Sequence, residues 1–471
     1  MTRLHPMFTQ RAAGVLLHAT SLPGGHGIGD LGPGARTFID WMRSSGLSLW
    51  QMLPIGPVGR GNSPYSGRSA FAGEPLLISI HELIKDGLLP ASAAHCPAEL
   101  NGARTRYAAA RRFKLPRFRT AFENFHRSSR PRSKAYQSFL SSNRSWLHGW
   151  CDAAGGEPDE QIFLQYIFDR QWQSLRRYAN RRDVRLVGDL PIFVDVDCAD
   201  MQQHPELFLL DREGRPKSLT GAPPDDFSRD GQLWGHPHYR WSAHRDENWK
   251  WWTSRFRQAF QRFDSVRLDH FLGFVRLWHI PLGERTARNG RWRSTPGREL
   301  LEVLEKRLGR LPIIAEDLGV KTSAVDRLRD DFGFPGMRIL QWAFGSTTSG
   351  DLPHNHPIQS VVYPGTHDNE TATGWFRHLD RKERERFKAY AGPMNSPAEG
   401  MTRLAFTSPA VWAICQMQDL LELSPGTRMN RPGVPTGNWT WRLSPGKLSS
   451  PQARKLHQLV ESSGRLPGAT S

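Results

Sequence analysis

The sequence predicts an α/β protein, a (β/α)8 (TIM) barrel with inserted, mostly helical subdomains and long active-site loops. Three observations carry this. Short apolar, β-branched runs recur along the 471 residues, a turn rich in Gly, Pro or Asp follows each, and a helix-length segment separates one run from the next. Seven runs stand out: GVLLHAT (14–20), LSLWQMLPIG (47–56), VRLVGDLPIFVDV (184–196), SVRLDHF (265–271), LPIIAEDLG (311–319), MRILQWAFG (337–345) and SVVYPGTHD (360–368). Between them lie helical stretches at 35–46, 251–263, 298–309 and 321–333. Strands alternating with helices give a parallel sheet covered on its outside. Seven such runs fit a closed barrel better than a doubly wound sheet and leave one strand to be placed.

The whole chain, 1–471, reads as a single catalytic domain with three additions. Residues 81–180 break the strand–helix rhythm and read as a helical insertion beside the barrel. Residues 197–241 form a long stretch rich in Pro, Gly and aromatics, expected to be an active-site loop without regular structure. Residues 445–471 are polar and read as a C-terminal helix ending in a frayed tail.

Lys and Arg total 63 against 46 Asp and Glu, a net charge of +17. That excess raises the question of nucleic acid. Much of it, however, lies in 104–134, where Arg recurs among apolar residues at helical spacing, the pattern of a solvated helix face. No nucleic-acid partner is expected. Cys96, Cys151, Cys198 and Cys415 lie far apart with no CxxC pair, so neither a disulfide framework nor a zinc ribbon is indicated and the chain reads as cytoplasmic. No apolar run reaches the roughly 18 residues of a membrane span, and AAGVLLHAT (12–20) is too short and too polar in its sequel for a signal peptide. Trp outnumbers Tyr, 17 to 8; its broad face suits sugar rings or core packing, and core packing is expected for most.

Gly27, Gly29 and Gly32 spell GxGxxG between a strand and a helix. The next strand brings no Asp or Glu to hold a ribose, so these glycines are expected to form a tight loop where backbone packs closely. Asp269, Glu316 and Asp368 each follow a strand run, and at the C-terminal mouth of a barrel such ends converge. Arg267 stands two residues before Asp269, and His367 and Asn369 flank Asp368. Two carboxyls facing each other across a sugar are what glycoside cleavage needs, one protonating the leaving oxygen and the other attacking the anomeric carbon or activating water. Sequence spacing does not separate retaining from inverting chemistry, which depends on carboxyl separation in space.

Several long segments carry a resemblance. GVLLHATSLPGGHGIGDLG, WQMLPIGPVGRGNSPYSGRSAFAGEPLLI, VGDLPIFV, GAPPDDFSRDGQLWG, VRLDHFLGF, IIAEDLG, PGMRILQWAF, YPGTHDNETATGW and RMNRPGVPTGNWTWRL follow one another across about 11–443. In these the chain resembles the 4-alpha-glucanotransferases (amylomaltases, disproportionating enzymes) of glycoside hydrolase family 77. The resemblance implies a retaining transfer of an α-1,4-glucan segment to the 4-hydroxyl of another glucan or glucose. Asp269 would be the nucleophile, Glu316 the general acid/base and Asp368 the stabiliser of the sugar hydroxyls. Tyr65 would stack on the same ring; Asp189, Arg267, His367 and Asn369 would lie around it. Asp225 and Asp226, after Pro223 and Pro224, would join Trp234 in covering the acceptor side. The partners implied are a glucan donor and a glucan or glucose acceptor, with no metal, no cofactor and no membrane. His236 and His238 form an H-P-H pair, read as loop histidines because a metal needs further ligands. The chain departs from the family pattern at Arg60, Asp226, Leu272 and in WGHPHY (234–239), which touches acceptor contacts and leaves the three carboxylates alone. A hydrolase using the same carboxylates is the alternative.

Overall fold

Twelve strands form among the described residues of the computed structural model, which are 4–24, 26–224, 228–320 and 322–468. They are β1 (Ala12–Leu16), β2 (Leu49–Gln51), β3 (Arg185–Leu190), β4 (Ser218–Ala222), β5 (Gln232–Pro237), β6 (Ser265–Leu268), β7 (Arg276–Pro281), β8 (Arg291–Ser294), β9 (Ile313–Ala315), β10 (Gly336–Ile339), β11 (Ser360–Tyr363) and β12 (Trp412–Gln416). Eight of them close a barrel in the order β1-β12-β11-β10-β9-β6-β3-β2, with every pairing parallel. The fold class read from the sequence is the one observed.

The strand left unplaced by the sequence is β12. All five of its residues are buried, and it pairs with β1 on one side and β11 on the other. A strand covered on both faces shows no alternation of polar and apolar residues, so a short apolar run of this kind reads equally as a helix segment. The helical stretches expected between strands form at Pro33–Ser44, Lys250–Arg262, Gly297–Leu308 and Ser323–Asp331, within one or two residues of their predicted ends. Their limits have local causes. Proline opens the first, the Thr322 side chain accepts from the Val325 amide at the start of the fourth, and Gly309 at φ 80° ends the third.

Between β2 and β3 the chain forms long helices at Tyr107–Arg127, Lys134–Ala154 and Pro158–Asn180. The last packs against β3 and the helix Pro33–Ser44, and the indole N–H of its Trp172 donates to the Arg262 carbonyl at 2.9 Å. The Arg-rich helix is not solvated throughout. Lys114 is fully buried, with Nζ 2.7 and 2.8 Å from the carbonyls of Leu76 and Ile78 and 3.2 Å from Asp30. The GxGxxG segment is a tight loop. Gly27 has φ +79°, and a Cβ on Gly29 would lie 2.2 Å from the Ala19 carbonyl oxygen. The indoles of Trp50, Trp172, Trp252 and Trp412 are among the largest side chains fully buried in the core.

Residues 197–241 differ from the structureless loop expected. They hold a short helix (Ala199–Gln203) and the strands β4 and β5, which join β7 and β8 in an antiparallel sheet of order β5-β4-β7-β8. β4 and β7 follow β3 and β6, adjacent strands of the barrel, so this second sheet rises over one sector of the mouth. The central pairing of this sheet, β4 with β7, joins residues some 60 apart, as Thr220 with His279, and such long-range pairing leaves no local trace. The tail differs too. After the helix Ser450–Ser462, Arg465 is fully buried and its guanidinium donates to the carbonyls of Ala12, Phe406, Ser408, Ala410 and Val411, anchoring the segment under the barrel; 469–471 lie outside the described residues. No helix among the described residues is long and apolar enough to cross a membrane.

Candidate active site

The mouth is organised by a buried ion pair between two adjacent strands. Asp189 of β3 is in register with Arg267 of β6, and Arg267 Nη1 lies 2.9 Å from both carboxylate oxygens of Asp189. Alternation along β6 puts Asp269 on the same side as Arg267, and Nη1 also reaches Asp269 Oδ1 at 2.9 Å. Burial would lower the Arg267 pKa, but Asp189 and Asp269 outweigh it and hold the guanidinium charged. Burial pushes the Asp189 carboxyl up while Arg267 pulls it back, and the two-oxygen contact makes this an ion pair. Tyr65 completes the cluster: its hydroxyl donates to Asp189 Oδ2 at 2.7 Å, and burial followed by the charge of Asp189 keeps it a neutral phenol.

Glu316 arrives by a backbone device. His270, directly after Asp269, adopts left-handed backbone geometry (φ 50°, ψ 56°), and its amide donates to Glu316 Oε2 at 2.7 Å. The Leu318 amide donates to Oε1 at 3.2 Å. Main-chain bonds from Glu316 N–H to the Leu268 carbonyl and from Phe271 N–H to the Glu316 carbonyl knit the ends of β6 and β9 together. Burial first, and then the negative charge of Asp269 against the opposing pull of Arg267, raises the Glu316 pKa from 4.5 to about 8. At neutral pH it is mostly protonated, the state a proton donor requires.

Asp368 stands across the mouth beyond β11. Asn430 Nδ2 donates to its Oδ1 at 2.6 Å, His367 Nε2 lies 3.4 Å from Oδ2, and Arg428 Nη2 donates to its backbone carbonyl at 2.5 Å. The Asn430 amide donates to the His367 carbonyl at 3.1 Å. The His367 ring stacks on Tyr65 with centroids 5.1 Å apart, so the Asp368 and Asp189 sides meet through an aromatic contact, with Trp439 6.0 Å from both rings.

Thus Tyr65, Asp189, Arg267, Asp269, Glu316, His367 and Asp368 come together as one cluster. Asn369 turns elsewhere: its side-chain oxygen accepts from the Thr366 amide and hydroxyl at 2.8 and 2.9 Å and shapes the turn that presents Asp368. Trp234, on β5, stands edge-on to the His270 ring at 4.8 Å. Asp225 and Asp226 lie outside the described residues. Arg428 and Asn430 escape a sequence reading of single strand ends. They sit 60 and 62 residues beyond Asp368, in the segment that follows β12 and the short helix Met417–Leu420 rather than at a strand end, and only the RMNRPGV segment marks the region. No group of three His, Cys, Asp or Glu suited to a metal occurs among the described residues.

A closed parallel barrel whose strand ends gather three carboxylates, a buried arginine and an aromatic ring defines a carbohydrate-active (β/α)8 enzyme. Comparison narrows the class. The chain belongs to the 4-alpha-glucanotransferase family, glycoside hydrolase family 77, whose profile matches residues 17–152 and 153–449. It is 40% identical to the 4-alpha-glucanotransferase of Synechocystis sp. over 98% of this chain and 99% of that protein. It is 39% identical to the Thermus thermophilus 4-alpha-glucanotransferase over 97% and 99%. The solved structure of the amylomaltase from Streptococcus agalactiae in complex with acarbose superposes with a TM-score of 0.92 at 33% identity, over 97% of this chain and all (100%) of that one.

Proposed function

We propose that this family member is a retaining 4-alpha-glucanotransferase in which Asp269 is the nucleophile, Glu316 the general acid/base and Asp368 the transition-state stabiliser. The observation that carries this assignment is the division of labour between neighbouring carboxyls: Asp269 is ion-paired to Arg267 at 2.9 Å, while Glu316 is held near a pKa of about 8. The Asp269 carboxylate attacks the anomeric carbon as Glu316 gives its proton to the leaving glycosidic oxygen, and the electron pair of the broken bond leaves with that oxygen. Glu316, now ionised, takes the proton of an acceptor 4-hydroxyl, whose oxygen attacks the same carbon and returns the bonding pair to Asp269. Asp368, oriented by Asn430 and His367, grips ring hydroxyls. Tyr65 offers the ring face and Trp234 the acceptor side.

The donor class follows from chemistry and kinship: the S. agalactiae relative is seen with acarbose, and an oligosaccharide with α-1,4 links suits the same cleft. We assign the protein to the cytoplasm and to glycogen, starch or maltodextrin metabolism, a setting consistent with its four free cysteines. Incubation with maltotriose and chromatography of the products tests the assignment. A ladder of longer oligosaccharides with free glucose is expected; glucose and maltose alone would make it a hydrolase.

A further inference from the structure

We propose that His236 is a specificity-determining residue that hydrogen-bonds a hydroxyl of the incoming sugar on the acceptor side of Asp269. The inference rests on the transferase assignment above. The register of β5 against β4 shifts between Leu233 and Pro237, around Gly235 at φ +84°, and within that irregularity Trp234 and His236 both lie against the Phe193 ring. Trp234 stands at 4.8 Å from His270, the residue next to Asp269. Phe193 ties the group together, with its ring 6.1 Å from Trp234, 6.0 Å from His236 and 6.4 Å from His270. The position of His236 is fixed from behind, because its amide donates to the hydroxyl of the fully buried Thr220 at 3.2 Å.

The imidazole itself is uncommitted: among the described residues no hydrogen bond or ion pair engages it. Its neighbour differs. His238 Nε2 is 3.2 Å from the Leu219 carbonyl oxygen, and its ring stacks on His279 at 3.4 Å. Burial lowers the His236 pKa despite the opposing charges of Asp195 and Asp269, and Arg60 lowers it further, so the ring is neutral at working pH. A neutral imidazole carries one donor and one acceptor, the complement of a sugar hydroxyl, which gives and takes one bond each. A half-buried polar ring without a protein partner is kept solvated by water, which an aligned hydroxyl replaces. His236 moves no proton. It orients the acceptor while Glu316 accepts the proton from the attacking 4-hydroxyl.

The test is the partition of the glycosyl-enzyme between water and sugar, read from the full chain with maltotriose as donor and labelled glucose as acceptor. This ratio is counted per turnover and does not depend on how much of a variant is folded. His236→Phe, which keeps the ring and loses both nitrogens, should raise hydrolysis relative to transfer, and raise the glucose needed for half-maximal transfer, by about three- to tenfold, the weight of one neutral hydrogen bond. His236→Asn, polar at similar reach, should move both values back toward wild type. A wild-type ratio in His236→Phe overturns the inference, and so does an Asn variant no better than Phe, since ring shape would then be the cause. If wild type builds no ladder from maltotriose, the transferase assignment fails and this inference with it. A wild-type ladder with an unchanged Phe variant sinks the His236 inference alone.

Discussion

The amide of His270 donates to Glu316 Oε2 at 2.7 Å, so the residue that follows Asp269 in the chain holds the carboxyl opposite it. Asp269 and Glu316 are thereby positioned by one left-handed turn. The acceptor is the Glu316 side chain, so Asp269→Asn leaves the link in place and Glu316→Gln keeps an amide oxygen able to accept it, and the chemical roles can be tested separately from the fold.

For Asp269, replacement by Asn keeps the shape and removes the attacking charge. Turnover should fall by several orders of magnitude, with glucan binding and thermal unfolding little changed. Activity within about tenfold of wild type in a variant that still binds glucan would refute the nucleophile role.

Glu316 makes two predictions of opposite kind. Its pKa of about 8 should set the alkaline limb of the pH–rate profile, and Glu316→Gln should abolish that limb. Its stability effect has a definite sign. A carboxyl whose folded pKa is raised binds more protons in the native state, so between about 4.5 and about 8 the native state loses stability as pH rises. Glu316→Gln removes that loss, so its melting temperature should match wild type near the lower value and exceed it by a growing margin up to the upper one. The bound is about 5 kcal/mol. Parallel melting curves for the two proteins across this window would contradict the raised pKa.

Asp368 should act on the transition state more than on the bound substrate. Asp368→Asn is expected to lower kcat strongly with KM nearly unchanged, because the hydroxyl contacts tighten only as the ring flattens. Asn430→Ala should produce a milder version of the same defect, since it frees Asp368 Oδ1 from its 2.6 Å partner. An affinity-only defect in Asp368→Asn argues against the stabiliser role.

Asp189 is a structural support of the site through its ion pair with Arg267. Asp189→Ala strands the charged Arg267, whose side chain is 6% exposed, without its principal partner. Breaking a buried pair in this way costs about 3–5 kcal/mol. A clear drop in chemical-denaturation midpoint should accompany loss of activity. Asp189→Asn, which keeps a hydrogen-bond acceptor for Tyr65 and Arg267, should recover part of the stability; unchanged midpoints in both variants would mean that the pair contributes nothing to the fold.

By itself the sequence determined the barrel and its chemistry-bearing strand ends, because those signals are local: an apolar run, a turn, then a helix with its cap. Asp269, Glu316 and Asp368 are legible for the same reason, each being a carboxylate at the end of an apolar strand where burial is costly without a partner or a task. Tertiary structure alone decided what is made by pairing distant segments. β12 is hidden because burial on both faces erases periodicity, and β4 because its partner β7 begins more than 50 residues later. The buried setting of Lys114, the turn-making role of Asn369, the anchoring of Arg465 and the grip of Arg428 and Asn430 on Asp368 belong to the same group. A hydrogen bond is specified by where two atoms meet, and for segments dozens of residues apart that meeting point exists only after the chain has folded.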